Sequence, residues 1–163
     1  MATRFLTLLL FICTIQGCGS QIQTDIATIT ISGETFHLEI SRDDTTRALG
    51  LMHRDEIPAD GGMLFIFPDS IVRSFWMKNC LVPIDLLFLD SRGTITATHE
   101  MPVEQPRQED QSEWAYDNTL SHYWSNSPAR FAIELKTGSI ARLGLHVNER
   151  ISLDLTKLRA LAR

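Results

Sequence analysis

The chain has 163 residues, 44% of them hydrophobic and 21% charged, with a net charge of −5. That length supplies one domain with its own core rather than two, and that composition excludes a disordered chain. The acidic balance, without any lysine- or arginine-rich run, argues against a nucleic-acid partner, whose phosphates need a basic surface.

The chain opens on a short positive segment, Met1 to Arg4, then an apolar run from Phe5 to Ile15, then small and polar residues from Gln16 to Ser20. These are the regions of a secretory signal, expected over residues 1–17. As a helix the apolar run reaches only about 17 Å, short of the roughly 30 Å hydrocarbon core, so it does not read as a permanent span. The segment IQGC resembles a bacterial lipobox, with Gln16 where a small residue is usual. It marks Cys18 as the expected lipidation site, which makes the membrane a partner through an N-terminal lipid. The expected location is therefore outside the cytoplasm, anchored and facing the periplasm or cell exterior. If Cys13 leaves with the signal and Cys18 carries lipid, Cys80 is the remaining thiol and no intramolecular disulfide staples the fold.

Residues 18–25 read as a tether and 26–163 as a single domain. Ala27, Ile29 and Ile31 alternate with polar residues, as do Phe36, Leu38 and Ile40, around Ser32-Gly33; this predicts a β-hairpin with one wet face. Ser41 reads as the cap of a helix that Gly50 keeps short. Met63 to Phe67 is a continuous apolar run, the pattern of a strand covered on both sides. Arg73 to Lys78, Ile84 to Leu89 and Thr94 to Met101 read as further strands. Pro102 to Pro128 is a long acidic connection carrying Trp114, Tyr116, Tyr123 and Trp124, rings that would staple it to the domain or form a partner-binding rim. Phe131, Ile133 and Leu135 restart the alternation, Ser139 to Leu143 gives one helical turn, and Ile151, Leu153 and Leu155 read as the last strand. The sum is a mainly β fold, an antiparallel barrel or sandwich of about eight short strands with two short helices.

Four stretches carry a resemblance: RALGLMHR (Arg47 to Arg54), GGMLFIF (Gly61 to Phe67), SFWMKNCLVPIDLLFLD (Ser74 to Asp90) and ARFAIELKTG (Ala129 to Gly138). In this order they resemble the family called domain of unknown function 192, from about Ile26 to Leu155. The chain departs from that pattern at Cys80, where the family usually has threonine, and in the longer, more aromatic Pro102–Pro128 segment. The resemblance implies a mainly β, barrel-like or sandwich-like fold. It implies no reaction, because the family's biochemical function is not established.

Candidate site residues come from the third stretch. Asp85 shares strand parity with Leu87 and Leu89, and a carboxylate on an apolar face needs a partner or must neutralise. Arg54 is the first candidate partner and Arg47 the second; the pair would be structural or would mark a pocket floor. Trp76 and Met77 read either as packing or as a pocket wall, with Asn79 as a hydrogen-bonding group or a turn residue. The favoured reading is a non-catalytic binding module whose pocket lies near these motifs, with Arg54, Trp76, Met77, Asn79 and Asp85 as ligand contacts. Its expected partner is a small molecule or an envelope protein. Two rivals stand beside it. One is a small hydrolase or lyase using Asp85 and His99, although the chain lacks any familiar catalytic motif. The other is a Cu(I)-handling protein using the Met, His and Cys side chains between Met52 and Met101, whose spacing is not diagnostic. No cofactor or resident metal is implied, and no catalytic residue is assigned.

Overall fold

The first hairpin forms as its alternation predicts. β1 (Ile26–Ile31) and β2 (Glu34–Ser41) pair antiparallel, with Ile31 opposite Glu34. Ser32 and Gly33 form a two-residue loop with φ of 48° and 84°, the mirror-image turn whose twist suits paired strands. The computed structural model describes residues 25–162. The signal segment, Cys18 and the tether up to residue 24 lie outside the described residues.

Helix α1 (Asp44–Leu49) is capped by Asp43 rather than Ser41. Asp43 Oδ1 accepts from the Thr46 N–H at 2.9 Å, while Thr46 Oγ1 accepts from the Asp43 N–H at 3.3 Å. Ser41 is buried, and its Oγ donates to Thr46 Oγ1. The chain then crosses back, and β3 (Gly61–Ile71) runs parallel to β2, where an antiparallel neighbour was expected. The remaining elements are β4 (Ser74–Phe75), β5 (Ile84–Leu89), β6 (Ile95–Met101), α2 (Glu113–Asp117), β7 (Tyr123–Trp124), β8 (Ala129–Lys136), α3 (Ser139–Leu143) and α4 (Leu155–Leu161).

The fold is mainly β, with eight strands and four short helices among the described residues. Six strands form one open sheet in the order β1-β2-β3-β8-β5-β6, which does not close into a barrel. The other two, β4 and β7, pair on their own and lie against one face of that sheet, so the layering is sandwich-like. β3, β8 and β5 occupy the centre and are buried on both faces over most of their length, as the apolar runs of β3 and β5 require.

Side-chain alternation divides the interior in two. Phe36, Leu38, Leu64, Ile66, Leu87, Leu89, Phe131, Ile133 and Leu135 fill one face, closed over by Leu145, Ile151 and Leu158 from the C-terminal segment. Met63, Phe65, Phe67, Ile84, Leu86, Phe88 and Ala132 line the other, together with Leu51, Met77 and Cys80. The predicted strand at Ile151 to Leu155 is reduced to isolated bridges, because Asp154 starts α4 by accepting from the Lys157 N–H at 3.0 Å. In the long connection only two of the four expected rings dock. Tyr116 is buried and Tyr123 packs at the second core, while Trp114 and Trp124 are exposed.

Candidate functional site

The second face of the sheet is not fully covered. Between α1, β4 and the β3–β8 floor lies a cavity of about 480 Å³, a size typical of small-molecule sites. Each wall follows from the sequence. Strand alternation turns Phe65 and Phe67 of β3, and Glu134 of β8, into it. α1 and its exit supply Arg47, Leu49, Gly50, Leu51 and Met52, and the segment around β4 supplies Val72, Arg73, Phe75 and Trp76. Phe75 holds β4 down by edge-to-face contacts with Phe65, Phe67 and Phe88, at centroid distances of 4.9, 6.4 and 5.3 Å. His122 sits at the mouth between the rings of Trp76 and Trp124.

Glu134 is the unusual member. It is 4% exposed, and its Oε2 has no hydrogen-bond partner. Burial alone pushes its carboxyl up to about 8, so near neutral pH it is held mainly as the neutral acid. Cys80 lies close enough for Glu134 to add to the burial that pushes its thiol up to about 12. Gly50 keeps the carboxyl open to the cavity: a Cβ there would meet the Phe65 ring at 3.5 Å and Glu134 Oε2 at 3.7 Å, and its φ of 51° with ψ of −136° disfavours other residues.

The arginines gather at the other end. Arg73 lies over the Phe67 ring at 3.9 Å and pairs with Asp69; burial draws its guanidinium down while Asp69 opposes the shift. Arg47 donates to the Ile66 carbonyl at 2.9 Å and to Asp44 at 2.7 Å. The cavity is therefore cationic at the Phe67 end, apolar in the middle and carboxylic at Glu134.

The residues singled out in the sequence do not converge on one place. Trp76 lines the cavity. Met77 is buried in the second core. Asn79 sits at φ 56° in a turn, its carbonyl accepting from the His53 N–H at 2.9 Å. Arg54 lies on the surface and pairs with Glu39 at 2.8 Å. Asp85 is fully buried, as expected, but on the opposite face of the sheet, and no arginine reaches it. Its Oδ2 instead accepts from the Ile140 N–H at 2.7 Å, in the first turn of α3. Arg54 and Arg47 have other partners, which corrects the expected ion pair. His99 lies on the cavity side, with Nε2 against the Trp124 carbonyl at 2.8 Å. Asp85 and His99 thus stand on opposite faces and cannot act as a catalytic pair. Among the described residues no cluster of three or more His, Cys, Asp and Glu is placed to hold a metal.

Comparison with known proteins agrees with this fold. Residues 27–153 match the family DUF192, described as an uncharacterized ACR. A crystal structure of a candidate transcription regulator from Sinorhizobium meliloti 1021 is 34% identical and superposes with a TM-score of 0.61, over 78% of this chain and 90% of that one. A protein of unknown function from Novosphingobium aromaticivorans DSM 12444 is 24% identical with a TM-score of 0.62, over 78% and 83% of the two chains, a likeness of fold alone. No curated protein matches the chain.

Proposed function

The chain belongs to the DUF192 family, and from that premise we propose that it is a non-catalytic binding module of the cell envelope, tethered to the membrane by lipid on Cys18. Its ligand is a small, largely apolar molecule seated in the cavity between α1, β4 and the β3–β8 floor. The observation that carries this reading is the Glu134 carboxyl: buried, without a partner on Oε2, at the bottom of an aromatic-walled cavity. An unsatisfied buried polar group costs stability, and a ligand that satisfies it recovers that cost. The envelope part of the reading rests on the signal-like segment and the IQGC stretch. The regulator role named for the Sinorhizobium protein finds no support in this chain's charge of −5, the wrong sign for a phosphate backbone.

Two experiments test the reading. The neutral apolar dye N-phenylnaphthylamine should brighten on binding the protein, and Ala48→Trp, which places an indole at the cavity wall, should weaken that binding by about tenfold or more. Equal brightening of parent and variant would rule the cavity out. Cys18→Ser should move the protein from the membrane to the soluble fraction, and identical partitioning of variant and parent would rule the anchor out.

A further inference from the structure

We infer that the ligand is a small organic cation, an ammonium or amidinium on an apolar body, with its charged head at Glu134 and its body against Phe65 and Phe75. This rests on the cavity being a binding site and adds the chemistry of what enters it. Five titratable groups line the cavity: Arg47 from α1, Arg73 ahead of β4, Cys80 after it, His122 ahead of β7, and Glu134 from β8. Both arginines already have acidic partners, Asp44 and Asp69. Cys80 donates its S–H to the Lys78 carbonyl at 3.6 Å. Glu134 is the carboxyl with a buried, unpartnered oxygen facing the space beside Gly50.

A cation is the partner that this arrangement favours. A donor satisfies Oε2, and a positive donor also allows Glu134 to ionise in place, since a buried carboxylate is stable only when paired. The aromatic lining adds attraction, because ring faces favour a cation held near them. The arginines do not cancel this. Phe67, under Arg73, lies four residues along β3 from Met63, the residue opposite Glu134. At strand rise that is about 13 Å. Arg47, on the Ile66 carbonyl, is three residues along β3 from Met63, about 10 Å at the same rise. Coulomb energy falls with distance, so attraction at contact exceeds either repulsion by about threefold or more.

Cation binding displaces the carboxyl proton of Glu134. Near neutral pH Glu134 is mainly the acid, pushed up to about 8 by burial. An ammonium entering the site keeps its own protons, and the carboxyl proton passes to solvent. Binding should therefore release close to one proton per chain at about pH 7 and weaken as pH falls toward 6.

Three matched compounds test this by displacing N-phenylnaphthylamine from the full protein: naphthylmethylamine, naphthylmethanol and naphthylacetate. The amine should displace the dye at a concentration about tenfold or more below that of the alcohol, with the acetate weakest. Calorimetry in buffers of different ionisation enthalpy should show proton release with the amine and none with the alcohol. Glu134→Gln should remove the amine's advantage over the alcohol and the amine-linked proton release. If the dye binds but the alcohol or acetate matches the amine, or if the Gln variant keeps the preference, the inference is wrong while the cavity reading stands. If the dye does not bind the parent protein, both fall.

Discussion

Two buried carboxyls on neighbouring strands show how much a single residue's setting decides. Asp85 lies opposite Leu135, and Glu134 opposite Leu86, so the two acids point to opposite faces of one sheet. Asp85 is a structural cap. Asp85→Ala leaves the Ile140 N–H without its acceptor, and we expect a loss of about 2 kcal/mol in urea unfolding with unchanged dye binding. Loss of dye binding without loss of stability would contradict that role. Glu134 behaves in the opposite way. Its carboxyl titrates near 4.5 when unfolded and at about 8 when folded, so between those values the folded state holds a proton that the unfolded state has lost. Its contribution is complete below pH 4.5 and fades as pH rises through 8, a change on the order of 5 kcal/mol. Urea midpoints of the parent should fall across that window, and those of Glu134→Gln should lack this fall. The burial of Asp85 was legible from its parity in PIDLLFL, but its partner was not, because α3 reaches it from 55 residues away. Glu134 was missed altogether. Beside Phe131, Ile133 and Leu135 it reads as the wet half of an alternating strand. Its covering becomes visible only with the strand order: β8 sits between two strands apolar on both faces, so its own second face must be covered as well.

At the scale of elements, local patterns were readable and crossovers were not. The β1–β2 hairpin needs only two alternating runs and the Ser32-Gly33 turn, all contiguous. The parallel pairing of β2 and β3 escaped because the intervening segment carries a six-residue helix, too short to show the long amphipathic pattern of an ordinary parallel crossover. The pairing of β3 with its other neighbour, β8, makes its own demand. Gly62 has φ of 146°, and a Cβ there would stand 2.1 Å from the Glu134 carbonyl oxygen. We expect Gly62→Ala to cost more than about 3 kcal/mol, because backbone in the middle of the sheet must move. Gly33→Ala is the control. Its φ is also positive at 84°, but nothing lies within 4 Å, so only the conformational cost of about 1 kcal/mol applies. Thermal melting of the two variants beside the parent checks the contrast; equal losses would show that the close approach to β8 is not what fixes Gly62.

For the whole molecule, the large sheet acts as a wall between two unlike halves. The half behind it is sealed by the C-terminal segment, while the half in front is covered partly by the small β4–β7 sheet, which Phe75 pins down. Amide exchange should follow this division. The slowest amides should belong to β3, β8 and β5, and those of Phe75 and Tyr123 should exchange markedly faster. Uniform protection across both sheets would contradict it. The wall also bears on descent. A substitution behind it meets a full, closed core, where one methylene more or less disturbs several neighbours. A substitution at Leu49, Val72 or Trp76, all exposed, changes the lining of an open hollow. Lineages sharing this sheet are therefore freer to diversify on the hollow side than on the sealed side, so the shape of the hollow should vary among them more than the core behind the wall.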